Sequence, residues 1–215
     1  MYETIMELPL FKGIGAEQLS IMLEKTKIVF LNFDHDETII EKNTPVKHVD
    51  FILSGNVNQC YRLENFDISI RESLGKYAVI GALNLFGLET VYPADCIAQC
   101  KTSILRISKE QYVNILMSDK IYLYNYLNFL SAAVQRPKKR INNTYGISIL
   151  ERITDLAYTF ASPMAETIEI LSTEMELARY CGISINDFKS WKGSLVLPKQ
   201  IEFKENGIII KKSIS

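Results

Sequence analysis

The chain has 215 residues, 47% of them hydrophobic, which is enough for a buried core and suits about two domains. No run approaches the roughly 18 consecutive apolar residues of a membrane span, and the first residues lack the basic and apolar stretches of a signal peptide. We therefore expect a cytoplasmic protein that makes no membrane contact. The net charge of −1 does not by itself indicate a nucleic-acid binder.

The distribution of charge says more than its sum. Residues 151–183 carry two arginines and six acids, whereas residues 184–215 carry six lysines and only three acids. A protein that binds phosphate needs positive charge on one surface, so the C-terminal end is the candidate for it. A lysine-rich face that is merely solvated remains the alternative.

The first half of the chain changes from a helical to a β pattern. Residues 15–26 form a short amphipathic repeat, which predicts a helix. Residues 27–108 then contain many short runs rich in Val, Ile, Phe and Tyr, separated by turn residues such as Ser54-Gly55-Asn56. Numerous short strands at this spacing are typical of a sandwich or barrel.

From Lys109 onward the apolar period becomes helical, and one stripe has the spacing of a coiled-coil seam. A second stripe, Tyr122, Tyr126, Phe129 and Ala133, could cover the β domain, while the seam would join two chains. The alternative is one helix packed inside a monomer. Pro137 falls at a missing seam position, where we expect a kink or break. The predicted dimer residues are Leu123, Leu127, Leu130, Val134 and Ile141.

The most specific local pattern is a helix-turn-helix over residues 173–192. Ser172 or Thr173 can cap a first helix, Gly182 supplies the turn, and Ser184 can cap a second helix whose inner face carries Phe188. A hairpin follows, turning at Glu205-Asn206-Gly207, where both Asn and Gly tolerate positive φ. An ordinary helical hairpin is the alternative.

If the second helix enters the major groove, its exposed N-terminal side chains face the base edges. Asn can read adenine and Ile can touch a thymine methyl, while arginine, the commonest reader of guanine, is missing. A·T-leaning specificity is therefore a hypothesis. The predicted DNA-binding residues are Ser184, Ile185, Asn186, Lys189, Ser190, Lys192 and Lys204.

The order of β-roll, long helix and winged helix resembles the Crp–Fnr family of transcription regulators. LPLFKGIGAEQLSIML resembles the family's entry helix, VDFILSGNVNQCYRL its strand pair around Gly55, GKYAVIGALNLFG the start of its phosphate-binding cassette, and CKTSILRISKEQY the strand before its dimerisation helix. The resemblance implies an α+β protein with a jelly-roll or cupin-like double-stranded β-helix. It also implies a homodimer that binds double-stranded DNA and contacts RNA polymerase. The expected domains are a β-roll over 1–117, a dimerisation helix over 118–142 and a winged helix over 143–215.

The candidate ligand site departs from the nucleotide-binding members of that family. Their Gly-Glu-Leu is replaced here by Gly81-Ala82-Leu83, and the positions of their phosphate-binding arginine and the following small residue correspond to Ala94 and Asp95. A buried phosphate without its cation is strongly disfavoured, so we expect no binding of cAMP. Another ligand could use the pocket, or side chains could fill it. The degenerate pocket consists of Gly81, Ala82, Leu83, Ala94, Asp95 and Cys96.

Other chemistry has little support in the sequence. Cys60, Cys96, Cys100 and Cys181 form no CxxC pair, and no cysteine precedes Cys60, which excludes the family's iron–sulfur branch. Buried thiols are expected, and a redox role for Cys96 and Cys100, which would share one face of a strand, is the alternative. No nucleophile–base pair or phosphate-cradling loop is visible, so we expect no enzyme, no cofactor and no metal. A second functional hypothesis is a sensor or adaptor whose winged helix binds protein.

Overall fold

The computed structural model describes residues 2–138, 148–196 and 198–211. Its helices and strands are of the α+β class, as expected, and the secondary structure contains seven α-helices and eleven strands within those ranges. The helices are α1 (Tyr2–Met6), α2 (Ala16–Lys25), α3 (Lys109–Ser118), α4 (Lys120–Lys138), α5 (Ile149–Phe160), α6 (Glu174–Cys181) and α7 (Ile185–Ser194). The strands are β1 (Ile28–Phe33), β2 (Thr38–Ile40), β3 (His48–Ser54), β4 (Val57–Arg62), β5 (Ser69–Leu74), β6 (Val79–Ile80), β7 (Asp95–Ala98), β8 (Thr102–Ser108), β9 (Ala165–Leu171), β10 (Ile201–Lys204) and β11 (Gly207–Lys211).

The chain divides into two compact units that are not contiguous in sequence. The first unit comprises Met1–Asn58 and Leu74–Val134, and the second comprises Gln59–Ser73 and Gln135–Ser215. The first unit therefore lacks residues 59–73 of the predicted β-roll over 1–117, and it continues beyond that range to Val134. Residues 59–73 belong to the second unit because β5 lies next to β9 in its sheet.

The first unit is built on antiparallel strands with an apolar interior. Four strands follow the order β1-β8-β3-β6, and β2 pairs with β7. Most of the central residues of β3 and β8 are buried, and Phe51 and Ile104 are fully enclosed. Helix packing completes this core, because Phe11 meets the ring of Tyr122 edge-on with 5.9 Å between centroids.

Helix α4 carries apolar side chains on two faces, as the two predicted stripes require. Tyr122 and Tyr126 are buried within the first unit, and the Tyr126 ring lies edge-on to Tyr112 at 5.7 Å. The described helix extends to Lys138, so Pro137 does not end it. The expected end at residue 142 lies outside the described residues.

The second unit combines three helices with strands in the order β10-β11-β9-β5-β4. Helix α5 begins at a capping box in which the Ser148 hydroxyl accepts from the Glu151 amide and the Glu151 carboxylate accepts from the Ser148 amide. Strand β9, helices α6 and α7, and the β10–β11 hairpin follow in the predicted order.

Residues 59–73 form a hairpin that is held in the second unit by polar and aromatic contacts. The Arg71 guanidinium lies 3.3 Å from a Glu169 carboxylate oxygen on β9. At the hairpin tip, the Phe66 ring packs edge-on against Tyr180 at 5.4 Å, and Arg179 donates to the carbonyl of Asn65 at 2.8 Å. These contacts fix the hairpin to helix α6 as well as to the sheet.

The β10–β11 hairpin differs in detail from the sequence prediction. Lys204 pairs with Gly207, so the loop consists of Glu205 and Asn206 alone. Only Gly207 has a positive φ, at 150°, whereas Asn206 does not. The predicted hairpin is therefore confirmed. Glycine is needed at position 207 because a Cβ there would lie 2.0 Å from the Ile170 carbonyl oxygen.

The expectation that Cys96 and Cys100 share one face of a strand is wrong. Cys100 lies beyond the end of β7 at Ala98 and is exposed, so it does not share a strand face with the buried Cys96. His48 lies in β3, with its ring 3.2 Å from the Asp50 carboxylate.

Candidate functional site

Helices α6 and α7 are joined by a tight turn with clear end signals. The Thr173 hydroxyl accepts from the Glu176 amide at 3.2 Å, and the Ser184 hydroxyl accepts from the Asp187 amide at 3.1 Å. Gly182 adopts a left-handed conformation with φ of 70° and ends α6. The chain therefore reverses between two capped helices at the positions that the sequence predicts.

The inner faces of these helices pack on the hairpin. Leu177 and Phe188 are buried, and the Phe188 ring lies 5.3 Å from that of Trp191. Trp191 in turn meets Phe203 of β10 edge-on at 6.1 Å. Aromatic contacts thus fix the rotation of α7 about its axis, which decides which of its side chains face outward.

The opposite face of α7 is polar and open. Asn186, Lys189 and Ser190 are exposed, and Ile185 is half-buried. The Lys189 ammonium has no ion pair among the residues that the structure describes. Ser184 also donates to the Asp187 carboxylate at 2.7 Å, so its hydroxyl is occupied by capping.

The remaining two predicted DNA-binding lysines form ion pairs. Lys192 lies 2.6 Å from the Glu174 carboxylate and 5.0 Å from the centroid of the Phe203 ring. Lys204 pairs with Glu202, and hydrogen bonding and charge from that lysine lower the pKa of the Glu202 carboxyl. The sequence did not indicate either acidic partner.

The residues predicted as a degenerate pocket have different environments. Ala82, Ala94 and Cys96 are buried, whereas Leu83 is exposed. The Asp95 carboxylate accepts a hydrogen bond from the Lys42 amide at 2.7 Å. Ala94, the position expected to correspond to the family's arginine, therefore holds a buried methyl group.

Gly81 lies against a tyrosine that the sequence analysis did not single out. A Cβ at Gly81 would lie 3.0 Å from the Tyr92 ring and 2.9 Å from the carbonyl oxygen of His48. The Tyr92 hydroxyl donates to that carbonyl at 2.9 Å. Tyr92 is buried, and its side chain fills the space beside Gly81.

A polar network lies behind Tyr92. Its hydroxyl is 3.1 Å from Nδ1 of His48, whose ring also contacts Asp50. Arg106 makes two hydrogen bonds to the Asp50 carboxylate, at 2.8 and 2.7 Å. Burial alone would raise the pKa of Asp50, but hydrogen bonds and charge from Arg106 and His48 outweigh it and lower that pKa.

The predicted dimer face of α4 is open in the single chain. Leu123, Leu127 and Val134 are 39%, 46% and 55% exposed, and Leu130 is half-buried. Ile141 lies outside the described residues. An apolar stripe of this length opposite a buried one is typical of a helix that pairs with another chain.

No helix in the described part of the chain is long and apolar enough to cross a bilayer.

Comparison with known proteins locates one domain. Residues 30–119 match the family model of the cyclic nucleotide-binding domain. No curated protein matches the chain.

Several solved structures share the fold at low sequence identity. The catabolite activator protein of Thermus thermophilus is 15% identical with a TM-score of 0.56, covering 94% of this chain and 93% of its own. The c-di-GMP responsive global regulator CLP of Xanthomonas campestris is 14% identical with a TM-score of 0.52, covering 93% and 100%. The sensor domain of the transcriptional regulator DNR from Pseudomonas aeruginosa is 18% identical with a TM-score of 0.51, covering 61% and 91%. Residues 30–119 are therefore similar to a cyclic nucleotide-binding domain, in a chain whose fold is similar to that of the Thermus thermophilus activator and the Xanthomonas campestris regulator.

Proposed function

We propose that the protein is a sequence-specific DNA-binding transcription regulator of the Crp–Fnr type. It acts as a cytoplasmic homodimer, contacts RNA polymerase and responds to a ligand other than cAMP or to none. The observation that carries this proposal is the open polar face of α7. Asn186, Lys189 and Ser190 are exposed there, opposite the packed rings of Phe188 and Trp191.

Helices α6 and α7 with the β10–β11 hairpin act as a winged helix-turn-helix in this proposal. The recognition helix of such a motif places its N-terminal residues against base edges in the major groove. Asn186 is suited to adenine and Lys189 to phosphate or guanine. Their location in the first turn and a half of α7 is the one that groove insertion requires.

Dimerisation through α4 brings two such helices to one DNA site. The exposed Leu123, Leu127 and Val134 supply the apolar seam. A twofold dimer reads an inverted repeat whose half-sites are about one helical turn apart, so the operator should be nearly palindromic.

The cassette residues support a response to something other than cAMP. A buried Ala94 replaces the expected cation, and Asp95 adds a negative charge. Loss of the arginine contact would weaken the binding free energy of cAMP by roughly 2–5 kcal/mol, by analogy with truncated buried charge pairs. Loss of the carboxylate contact would weaken it by a similar amount. Micromolar affinity corresponds to about 8 kcal/mol of binding free energy, so little affinity for cAMP would remain after both losses. We propose no catalytic activity for the protein.

The test is selection of bound sequences from a random double-stranded DNA pool with the full-length protein at moderate salt. An enriched inverted repeat with half-sites about one helical turn apart supports both DNA binding and the dimer. The matched control carries Asn186→Ala and Lys189→Ala on the exposed face of α7 and should enrich no motif. Enrichment of the same motif by the control would contradict the placement of α7 in the groove.

A second candidate function is a sensor or adaptor whose C-terminal unit binds protein. It is favoured by the pairing of Lys192 with Glu174 and of Lys204 with Glu202, which neutralises two of the lysines near the proposed DNA surface. Salt dependence separates the two functions. Phosphate contacts release counterions, so specific DNA binding should weaken steeply as salt rises.

A further inference from the structure

A cavity in the first unit lies apart from the cassette. Its volume is about 440 Å³, within the roughly 300–1,000 Å³ range of small-molecule pockets. Helix α2 forms one wall, and helix α3 with the start of α4 forms the other. Residues 81–96 contribute no side chain to it.

The interior of the cavity is apolar. Ile14, Met22 and Ile115 line it, and each is buried. These side chains come from both walls, so a molecule between the helices would contact hydrocarbon on two sides. An apolar body of modest size would therefore lose contact with water when it enters.

One polar group within this lining has no partner. Tyr122 is 3% exposed and lines the cavity, and its hydroxyl has no hydrogen-bond partner among the described residues. In the described part of the chain, no fully enclosed side-chain oxygen or nitrogen lacks a partner. The Tyr122 hydroxyl is therefore not fully enclosed, and because Tyr122 lines the cavity, this hydroxyl is available to donate a hydrogen bond to a molecule there.

Further donors surround the same space. Gln111 and Asn114 lie one turn apart on α3, and Lys25 lies at the end of α2. The side-chain amides of Gln111 and Asn114 and the ammonium of Lys25 have no hydrogen bond or ion pair with another described residue. The lining carboxylate, Asp119, already accepts from the Ile121 amide at 2.9 Å at the start of α4.

We infer that this cavity binds a small amphipathic carboxylate, with its apolar body between α2 and α3 and its carboxylate held by the Tyr122 hydroxyl and the Lys25 ammonium. A carboxylate accepts several hydrogen bonds and gains from a nearby cation, whereas an amide of the same shape gains less. The site does not depend on whether the second unit binds DNA.

The test is a titration of the full-length protein, isotope-labelled at Ile and Met methyl groups, with octanoate and in parallel with octanamide, followed by NMR. Octanoate should shift the methyl signals of Ile14, Met22 and Ile115 saturably. The signals of Ile52 and Ile104, which are buried in the first unit outside the cavity lining, should stay unchanged, which also shows that the first unit of each variant is folded. Octanamide should bind more weakly, and Lys25→Gln should remove the difference between the two compounds.

Three variants test the site itself. Tyr122→Phe should weaken octanoate about 2- to 10-fold, the effect of one lost hydrogen bond. Asn114→Trp should fill the opening and abolish the shifts, whereas Glu17→Trp, on an exposed α2 position outside the cavity lining, should leave them intact. Absence of saturable shifts at millimolar octanoate, or equal binding by the Asn114→Trp protein, would overturn the inference.

Discussion

Arg106 and Asp50 lie directly opposite each other on β8 and β3 and share two nearly equal hydrogen bonds. Asp50 is completely buried, and Arg106 is its main cationic neighbour. A charge in that position is tolerated only when it is paired, so the two residues stabilise the β-roll only as an ion pair. The His48 ring contacts both Asp50 and the Tyr92 hydroxyl, and it thereby links this ion pair to the tyrosine beside Gly81.

Asp50→Ala should lower the free energy of unfolding by about 3–5 kcal/mol, because it leaves Arg106 partly buried without its partner. Urea denaturation followed by circular dichroism measures this. A change at the exposed Asp34, such as Asp34→Ala, is the control and should cost less than about 1 kcal/mol. A loss for Asp50→Ala no larger than that of the control would contradict the assigned role.

The same pair predicts a dependence on pH. The pKa of Asp50 lies below its ordinary value of 3.8, so its contribution to stability is complete above that value and is lost as the pH falls through the lower, folded-state pKa. Acid titration of the wild type should therefore show a loss of stability below about pH 4 that the Asp50→Asn protein shows to a smaller degree. Identical acid profiles would mean that Asp50 is not the group responsible.

Gly207→Ala should destabilise the second unit by at least about 2 kcal/mol, because the new Cβ would overlap the Ile170 carbonyl and φ is unfavourable for alanine. Gly193→Ala provides the opposite case. No atom lies within 4 Å of its added Cβ, and alanine in helix α7 should stabilise by about 0.4–1 kcal/mol. Thermal unfolding observed through Trp191 fluorescence compares the two variants. Changes in stability of the same sign in both would contradict the close packing at Gly207.

Lys189→Ala should weaken DNA binding and reduce the slope of log affinity against log salt by about one, because one phosphate contact is lost. Fluorescence anisotropy with the selected operator at several salt concentrations gives both quantities. Lys101→Ala removes the same charge from an exposed position in the first unit and should change neither. Equal losses in the two variants would point to net charge and not to a contact.

Leu127→Asp should convert the proposed dimer to monomers, because it places a charge in the centre of the exposed apolar stripe of α4. Sedimentation velocity at micromolar concentration measures the change. Asn128→Asp introduces the same charge at the neighbouring exposed position and should preserve the dimer. A monomeric wild type would contradict dimerisation through α4.

The sequence was informative wherever local chemistry decides the structure. The caps at Thr173 and Ser184 and the turn at Gly182 depend on residues three or four positions away, and all were predictable. The pairing of Lys192 with Glu174 was not, because it joins residues 18 apart on two different helices. The role of the Tyr122 hydroxyl was equally unpredictable, since only the approach of α2 to α3 creates the cavity that Tyr122 lines.

The grouping of residues 59–73 with the second unit was hidden from the sequence for the same reason. The alternation of β4 and β5 indicates strands but not their neighbours, and β9 lies far ahead in the sequence. The strands of a continuous β-roll and of a hairpin shared with another unit have the same local pattern. Only long-range pairing distinguishes them.

That long-range pairing affects the order of events on the ribosome. Arg71 on β5 and Glu169 on β9 are 98 positions apart, so β5 leaves the ribosome roughly 5–20 seconds before its neighbour at ordinary rates of synthesis. During this interval the edge of β5 is open to pairing with other nascent chains. The charges of Arg71 and Glu72 on that strand oppose such pairing, since charged side chains on an open edge discourage aggregation. Arg71, which joins the hairpin to β9 in the finished protein, can thus help to protect β5 while the rest of the second unit is still being made.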